Sequence, residues 1–244
     1  MHKPIIETER LTFAYHDGNP VLEDVTLSIL HNDSVGIIGP NGAGKSTLLM
    51  TFNGLLRGAG EVKIDGEPLS KENLREVRRK VGWIAQDSDD QLFMPTLFDD
   101  VAFGPLNLGL ADDEVRRRAD EALALVGLSA LANRPPHHLS GGEKKAAAIA
   151  TVLSMRPAVI LMDEPTNNLD HAARRSLIEF LKALPVTKVV ASHDLEMILE
   201  LCRRVVLLEK GRVAADGPAR DILGDSALLR AHRLEPPLSI ALRR

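Results

Sequence analysis

The period of the apolar positions changes several times along the chain. In "IIETERLTFAY" and "VLEDVTLSIL" apolar and polar positions alternate, which predicts two half-buried strands; they are joined through "HDGNP", where Asp17-Gly18 is a turn pair. "SVGIIG", Ser34–Gly39, is a short unbroken apolar run and predicts a strand buried on both faces. In "KSTLLMTFNGL", Leu48, Leu49, Phe52 and Leu55 recur at helical spacing. "GEVKIDGEPL" reads as a hairpin around Asp65-Gly66, and "KVGWIAQ", with Val81, Trp83 and Ala85 on one face, as a strand ending at Gln86.

From about residue 90 to 150 the helical period dominates. "ADDEVRRRADEALALVGL" carries acids in its first turn, where they complement the helix dipole. Val115, Ala119, Ala122 and Val126 mark its inner face, and Arg116–Arg118 fall on a solvated one. After Arg156-Pro157, strand and helix patterns alternate: "AVILMD", "AARRSLIEFLKAL", "TKVVASH", "DLEMILELC", then the hairpin "RVVLLEKGRVAADG". Such alternation predicts a parallel sheet covered on both faces.

Composition removes several classes. A length of 244 residues suits one domain with an inserted lobe. A net charge of −4 and a pI near 6.1 lack the basic footprint of a nucleic-acid binder, so no nucleic-acid partner is expected. The single cysteine, Cys202, cannot close an internal disulfide; a reducing compartment and a buried, apolar role are expected for it. "MHKPIIETER" has no apolar core of a signal peptide, and no apolar run reaches the ~18 residues that span a bilayer. Any membrane role is therefore expected to come through a partner.

Candidate chemistry sits in three places. "GPNGAGKST", Gly39–Thr47, matches G-x-x-x-x-G-K-[ST]: its glycines let successive N–H groups turn toward phosphate oxygens, and Gly39, Pro40, Asn41, Gly42, Ala43, Gly44, Lys45, Ser46 and Thr47 form the expected ATP cradle. Lys45 reaches the β- and γ-phosphates and the Ser46 hydroxyl can ligate Mg²⁺. "VILMDEP" is an apolar strand ending in Asp163, suited to holding Mg²⁺, and Glu164, suited to polarising a water. "HLSGGEKKAAAIA" contains Ser140 and Glu143 as a capping box; the two glycines that follow weaken a helix start but admit an anion to free N–H groups, a second phosphate site. The expected fold class is therefore α/β: a P-loop NTPase core of mainly parallel sheet, an antiparallel β subdomain and an inserted helical subdomain, one domain over 1–244 with a short tail from about 218.

The order of that loop, Gln86, "LSGGE", "VILMDEP", "NNLD" and "SHD" resembles the ATP-binding cassette ATPases over about Ile5–Gly217. The resemblance implies a head-to-tail dimer, with each ATP between the Lys45 loop of one subunit and Ser140, Gly141 and Gly142 of the other. It also implies that Tyr15 stacks on adenine, Gln86 senses Mg²⁺ and the attacking water, Glu164 is the general base, His193 contacts the γ-phosphate, and Asp170 lies in the loop crossing between the sites. Two features depart from the pattern. Lys145-Ala146 stands where many members have Gln-Arg or Lys-Arg, and "NNLD" where "SGLD" or "SALD" is more frequent.

One stretch, "QDSDDQLFMPTLFDDVAFGPLNLGL" (Gln86–Leu110), mixes acids and large apolar residues in a segment that Pro95 and Pro105 keep from being one regular element. Together with "LSGGEKK" it resembles the energy-coupling factor ATPases, most closely those of cobalt and nickel uptake. That resemblance implies docking of Asp90 and Gln91 onto arginines of a transmembrane T component, beside a substrate-binding S component, at the cytoplasmic face of the membrane. Biotin and other vitamins stay open as solutes, because the solute does not touch this chain. A cassette ATPase acting on DNA or ribosomes would need a long coiled-coil insertion or a tandem cassette. A purely regulatory nucleotide-binding module would not need Lys45, Asp163, Glu164 and His193 together.

Overall fold

The structure is a computed structural model that describes residues 3–16 and 18–242, so Asp17 of the expected turn lies outside the described residues. Two sheets form. Strands β1 (Pro4–Ala14), β2 (Pro20–Leu30), β4 (Ala59–Ile64) and β5 (Glu67–Pro68) make an antiparallel sheet in the order β2-β1-β4-β5. The central sheet has six strands in the order β10-β9-β3-β8-β7-β6, built from β3 (Ser34–Ile38), β6 (Val81–Ile84), β7 (Val159–Asp163), β8 (Thr187–Ala191), β9 (Arg204–Glu209) and β10 (Arg212–Pro218). It is parallel except for the β9–β10 hairpin. Every residue of β7 and β8 is buried, as expected for strands covered on both faces.

One core cluster lies between the two sheets and packs α1 (Lys45–Phe52) through Leu48, Leu49 and Phe52. A second covers the other face of the central sheet with α6 (His171–Ala183) and α7 (Leu195–Leu201). Cys202 is buried in it, and burial pushes its thiol pKa up. The third belongs to the helical lobe of α3 (Leu97–Asn107), α4 (Asp112–Leu125) and α5 (Gly141–Leu153), where Val115, Ala119 and Ala122 face inward as their spacing requires. The expected short tail after β10 is structured over residues 219–242. They fold into α8 (Ala219–Gly224), α9 (Ser226–Ala231) and α10 (Leu238–Ala241), and bury Leu223 and Leu229 against the core. No helix among the described residues is long and apolar enough to cross a membrane.

Three expectations need correction. The β6 strand stops at Ile84, so Gln86 lies in the following irregular segment. Helix α1 ends at Phe52, and Leu55 falls beyond it, 51% exposed. Pro105 does not break α3 but lies inside it. A helical proline leaves the carbonyl one turn back without its N–H; here the hydroxyl of buried Ser154, the cap at the end of the neighbouring helix α5, lies 2.8 Å from the Val101 carbonyl oxygen and 2.9 Å from that of Thr151, and offers the missing donor. Arg116–Arg118 do lie on the solvated face of α4, Arg116 and Arg117 exposed and Arg118 partly so. Arg116 lies over the Phe98 ring at 5.7 Å, while Arg117 and Arg118 pair with Glu114 one turn earlier.

Candidate functional site

The loop from Gly39 to Gly44 joins β3 to α1 at the edge where the parallel strands end. Its tightness dictates its glycines. At Gly39 (φ 148°) a Cβ would fall 2.2 Å from the Leu208 carbonyl oxygen, and at Gly44 (φ 101°) 2.8 Å from that of Val21. The loop lines a polar groove of about 450 Å³ with Asn41, Gly42, Ala43, Lys45, Ser46, Thr47, and, from other elements, Gln86, Asp163, Glu164 and His193. Tertiary structure thus assembles residues spread over more than half the chain.

Lys45 Nζ donates to the carbonyl oxygens of Gly39 (2.9 Å) and Pro40 (3.2 Å) and lies 3.2 Å from His193 Nε2. Burial lowers its pKa, against the opposing pull of the Glu164 and Asp163 carboxylates. Asp163 closes β7. It is 4% exposed, and burial raises its carboxyl pKa although the Ser46 hydroxyl donates to it. Its Oδ1 is buried with no hydrogen-bond partner. An orphaned carboxylate oxygen beside a serine hydroxyl fits a hard divalent cation that takes oxygen ligands and keeps places for phosphate and water. Among the described residues no group of three or more His, Cys, Asp or Glu is placed to hold a metal ion.

Glu164 follows at φ 45°, a left-handed conformation that costs a non-glycine residue about 1–2 kcal/mol. The turn buries its carboxylate against the end of β8, where Ser192 Oγ donates to Oε2 at 2.9 Å and the His193 N–H reaches both oxygens at 3.1 Å. His193 Nε2 lies 3.4 Å from Glu164 Oε1, so one carboxylate touches both the backbone and the ring of His193. Tyr15 does not line the groove. It stands 46% exposed at the groove's rim, edge-on to Phe13 at 4.9 Å, with its hydroxyl 3.3 Å from Thr47 Oγ1.

Ser140, Gly141 and Gly142 lie outside this groove. Ser140 caps α5 as the capping box requires: its hydroxyl accepts from the Glu143 N–H, and its own N–H donates to Glu143 Oε2 at 2.7 Å. Gly142 answers to packing as well as to any anion, because a Cβ there would meet Ala173 Cβ at 3.1 Å. Asp170 caps α6 by accepting from the Ala173 N–H at 2.8 Å.

Most acids of the Gln86–Leu110 stretch are used within the chain. Asp87 accepts from the Asp89 N–H, Asp89 pairs with Lys144 at 2.6 Å, Asp99 and Thr96 cap α3, and buried Asp100 accepts from the N–H groups of Phe93 and Met94. Gln91 is also tied inward, donating to the Ala148 carbonyl (2.9 Å) and Thr151 (2.7 Å) and accepting from the Ala85 N–H (3.1 Å). Asp90 stays exposed, on a second and larger groove of about 1030 Å³ between α3 and α2 (Leu74–Lys80). Phe93 and Phe103, packed edge-on at 5.1 Å, give that groove an apolar wall, and Arg75, Arg78 and Arg79 a basic one. The two grooves share Ser46, Gln86 and Asp163.

The sequence profile of the family described as "ABC transporter" matches residues 22–167, which contain the loop, Gln86, the α5 cap and the paired acids. The chain belongs to the ABC transporter ATPases. It is an ATP-binding subunit of such a transporter, and its hydrolysis of ATP is coupled to transport. It is 47% identical over 245 residues to a cobalt import ATP-binding protein of Rhodobacter capsulatus, covering 98% of this chain and 88% of that one. An energy-coupling factor transporter ATP-binding protein of Methanothermobacter thermautotrophicus is 46% identical over 239 residues, covering 96% and 77%. Among solved structures, a Clostridium perfringens protein described as part of an ABC transporter complex superposes with a TM-score of 0.84 at 35% identity over 99% of each chain.

Proposed function

We propose that this ABC ATPase drives an energy-coupling factor importer for a micronutrient metal, cobalt or nickel. It works as a dimer under a transmembrane T component and a substrate-binding S component at the cytoplasmic face of the membrane. The observation that carries the reading is the continuity of the two grooves through Gln86: a partner helix in the apolar groove and a nucleotide in the polar one touch the same residue. The likeness to a cobalt import subunit supports the choice of solute.

ATP is held by the N–H groups of Gly39–Thr47 and the Lys45 ammonium, which exchanges its loop carbonyls for phosphate oxygens. Ser46, Asp163 and Gln86 would hold Mg²⁺, which would neutralise phosphate charge. Glu164, fixed by Ser192 and the His193 N–H, accepts the proton of the attacking water, and His193 stabilises the γ-phosphate. The N-terminus of α5 with Ser140, Gly141 and Gly142 does not line its own groove; a second subunit presents it, and Asp170 lies at that seam. Closing this sandwich and reopening it after hydrolysis moves whatever is docked beside Asp90.

Cells lacking the protein should lose accumulation of radiolabelled cobalt or nickel; the wild-type chain should restore it and Glu164→Gln should not. Glu164→Gln should still bind ATP, accumulating as an ATP-bound dimer on size-exclusion. Unchanged accumulation of both ions in the deletion strain would refute the solute assignment. A Glu164→Gln chain that stays monomeric with MgATP would refute the sandwich.

A further inference from the structure

Lys145 is one of the most buried charged residues of the chain, at 4% exposure, and no step above uses it. It projects from α5, five residues after the Ser140 cap, and its Nζ donates to the carbonyl oxygens of Gln86 (2.9 Å) and Ala85 (3.3 Å). Burying an ammonium is costly unless its donors are satisfied. Here backbone oxygens satisfy it, while the Asp87 and Asp163 carboxylates attract it through space. The segment it grips is tied to α5 a second way: the Ala85 N–H donates to Gln91, whose amide reaches back to Ala148 and Thr151 on the same helix. Lys144 adds a third tie, to Asp89.

We propose that Lys145 is a positioning residue, whose ammonium clasps the Ala85–Gln86 backbone to α5 and so makes the Gln86 side chain enter and leave the nucleotide groove together with the helix that carries Ser140. The inference rests on the reading of Gln86 as a residue acting at the nucleotide's Mg²⁺ and water. Without the clasp, the irregular segment after β6 would sample positions in which Gln86 is misplaced, although the P-loop would still bind ATP.

The test is a double-mutant cycle on the full chain, following MgATP hydrolysis and thermal melting in the same samples. Lys145→Met should lower kcat by about tenfold to a hundredfold, the scale of a small misplacement near the chemistry, with KM for ATP changed by less than about twofold. Lys145→Arg should restore most of kcat. If the methionine variant does not fold, Lys145→Gln, which keeps a neutral donor, takes its place and should fall between wild type and Gln86→Ala. The double variant should be no slower than Gln86→Ala alone, because both changes remove the same contribution. Additive losses, an arginine variant as slow as methionine, or a Lys145→Met kcat near wild type beside a deficient Gln86→Ala would each overturn the clasp alone. A Gln86→Ala chain at the wild-type rate would overturn the role of Gln86 and the clasp with it.

Discussion

Asp163 and Lys45 carry opposite charges, yet burial pushes both toward neutrality, the carboxyl up and the ammonium down. Each is therefore a cost to the nucleotide-free fold that phosphates and a cation would offset, a trade of stability for function. With its folded pKa above the ordinary carboxylate value, Asp163 takes stability away as pH rises through that window. Asp163→Asn should abolish hydrolysis while stabilising the nucleotide-free chain by about 1 kcal/mol at neutral pH. The gain should vanish below about pH 4, where the wild-type carboxyl is protonated in both states. Thermal melts at the two pH values decide it; an equally or less stable variant at pH 7 would mean that the carboxylate is well satisfied without ligands.

Between elements, the bidentate pair of Arg174 on α6 with Asp194 at the start of α7 fixes the turn that displays His193, with distances of 2.6 and 2.8 Å. Burial alone would raise the Asp194 carboxyl pKa, but Arg174, the Met197 N–H and Thr166 outweigh it and hold the value below the ordinary range. A depressed carboxyl pKa contributes stability above the ordinary value, and that stability is lost as pH falls through the folded one. Arg174→Leu should cost about 2–3 kcal/mol at pH 7, less than a fully buried pair because both groups are partly solvated. The difference should shrink as pH falls below about 4. Urea unfolding at both values measures this, and a deficit independent of pH would assign the effect to packing.

At the scale of the whole molecule, Asp90 lies exposed on a groove whose other wall holds Arg75, Arg78 and Arg79. If Asp90 meets an arginine of the T component, reversing its charge leaves a desolvated cation unpaired, at about 3–5 kcal/mol or roughly a hundredfold to a few thousandfold in affinity. Asp90→Arg should therefore leave hydrolysis by the isolated subunit intact while preventing co-purification with the membrane partner and uptake. An Arg→Asp change in the partner should restore part of both. Normal assembly of Asp90→Arg would make this acid a solvated surface group.

The sequence by itself carried the α/β architecture with its two kinds of sheet, and the order of its motifs carried the resemblance to the cassette ATPases. The architecture is written in local signals: a period of apolar positions, a loop with glycines where the backbone is tight, a serine three residues before a glutamate. The capping box of α5 likewise needed no distant residue. What only tertiary structure decided are the partners that come from far along the chain. "DDQLFMPTLFDD" shows its acids but not that Lys144 answers Asp89, that backbone N–H groups fill Asp100, or that Gln91 reaches α5. Nor does Pro105 announce that Ser154 will replace its missing donor. Lys145 stood out in the sequence only as a departure from the family pattern, because a buried ammonium is recognisable only once the carbonyls that receive it have been brought against it.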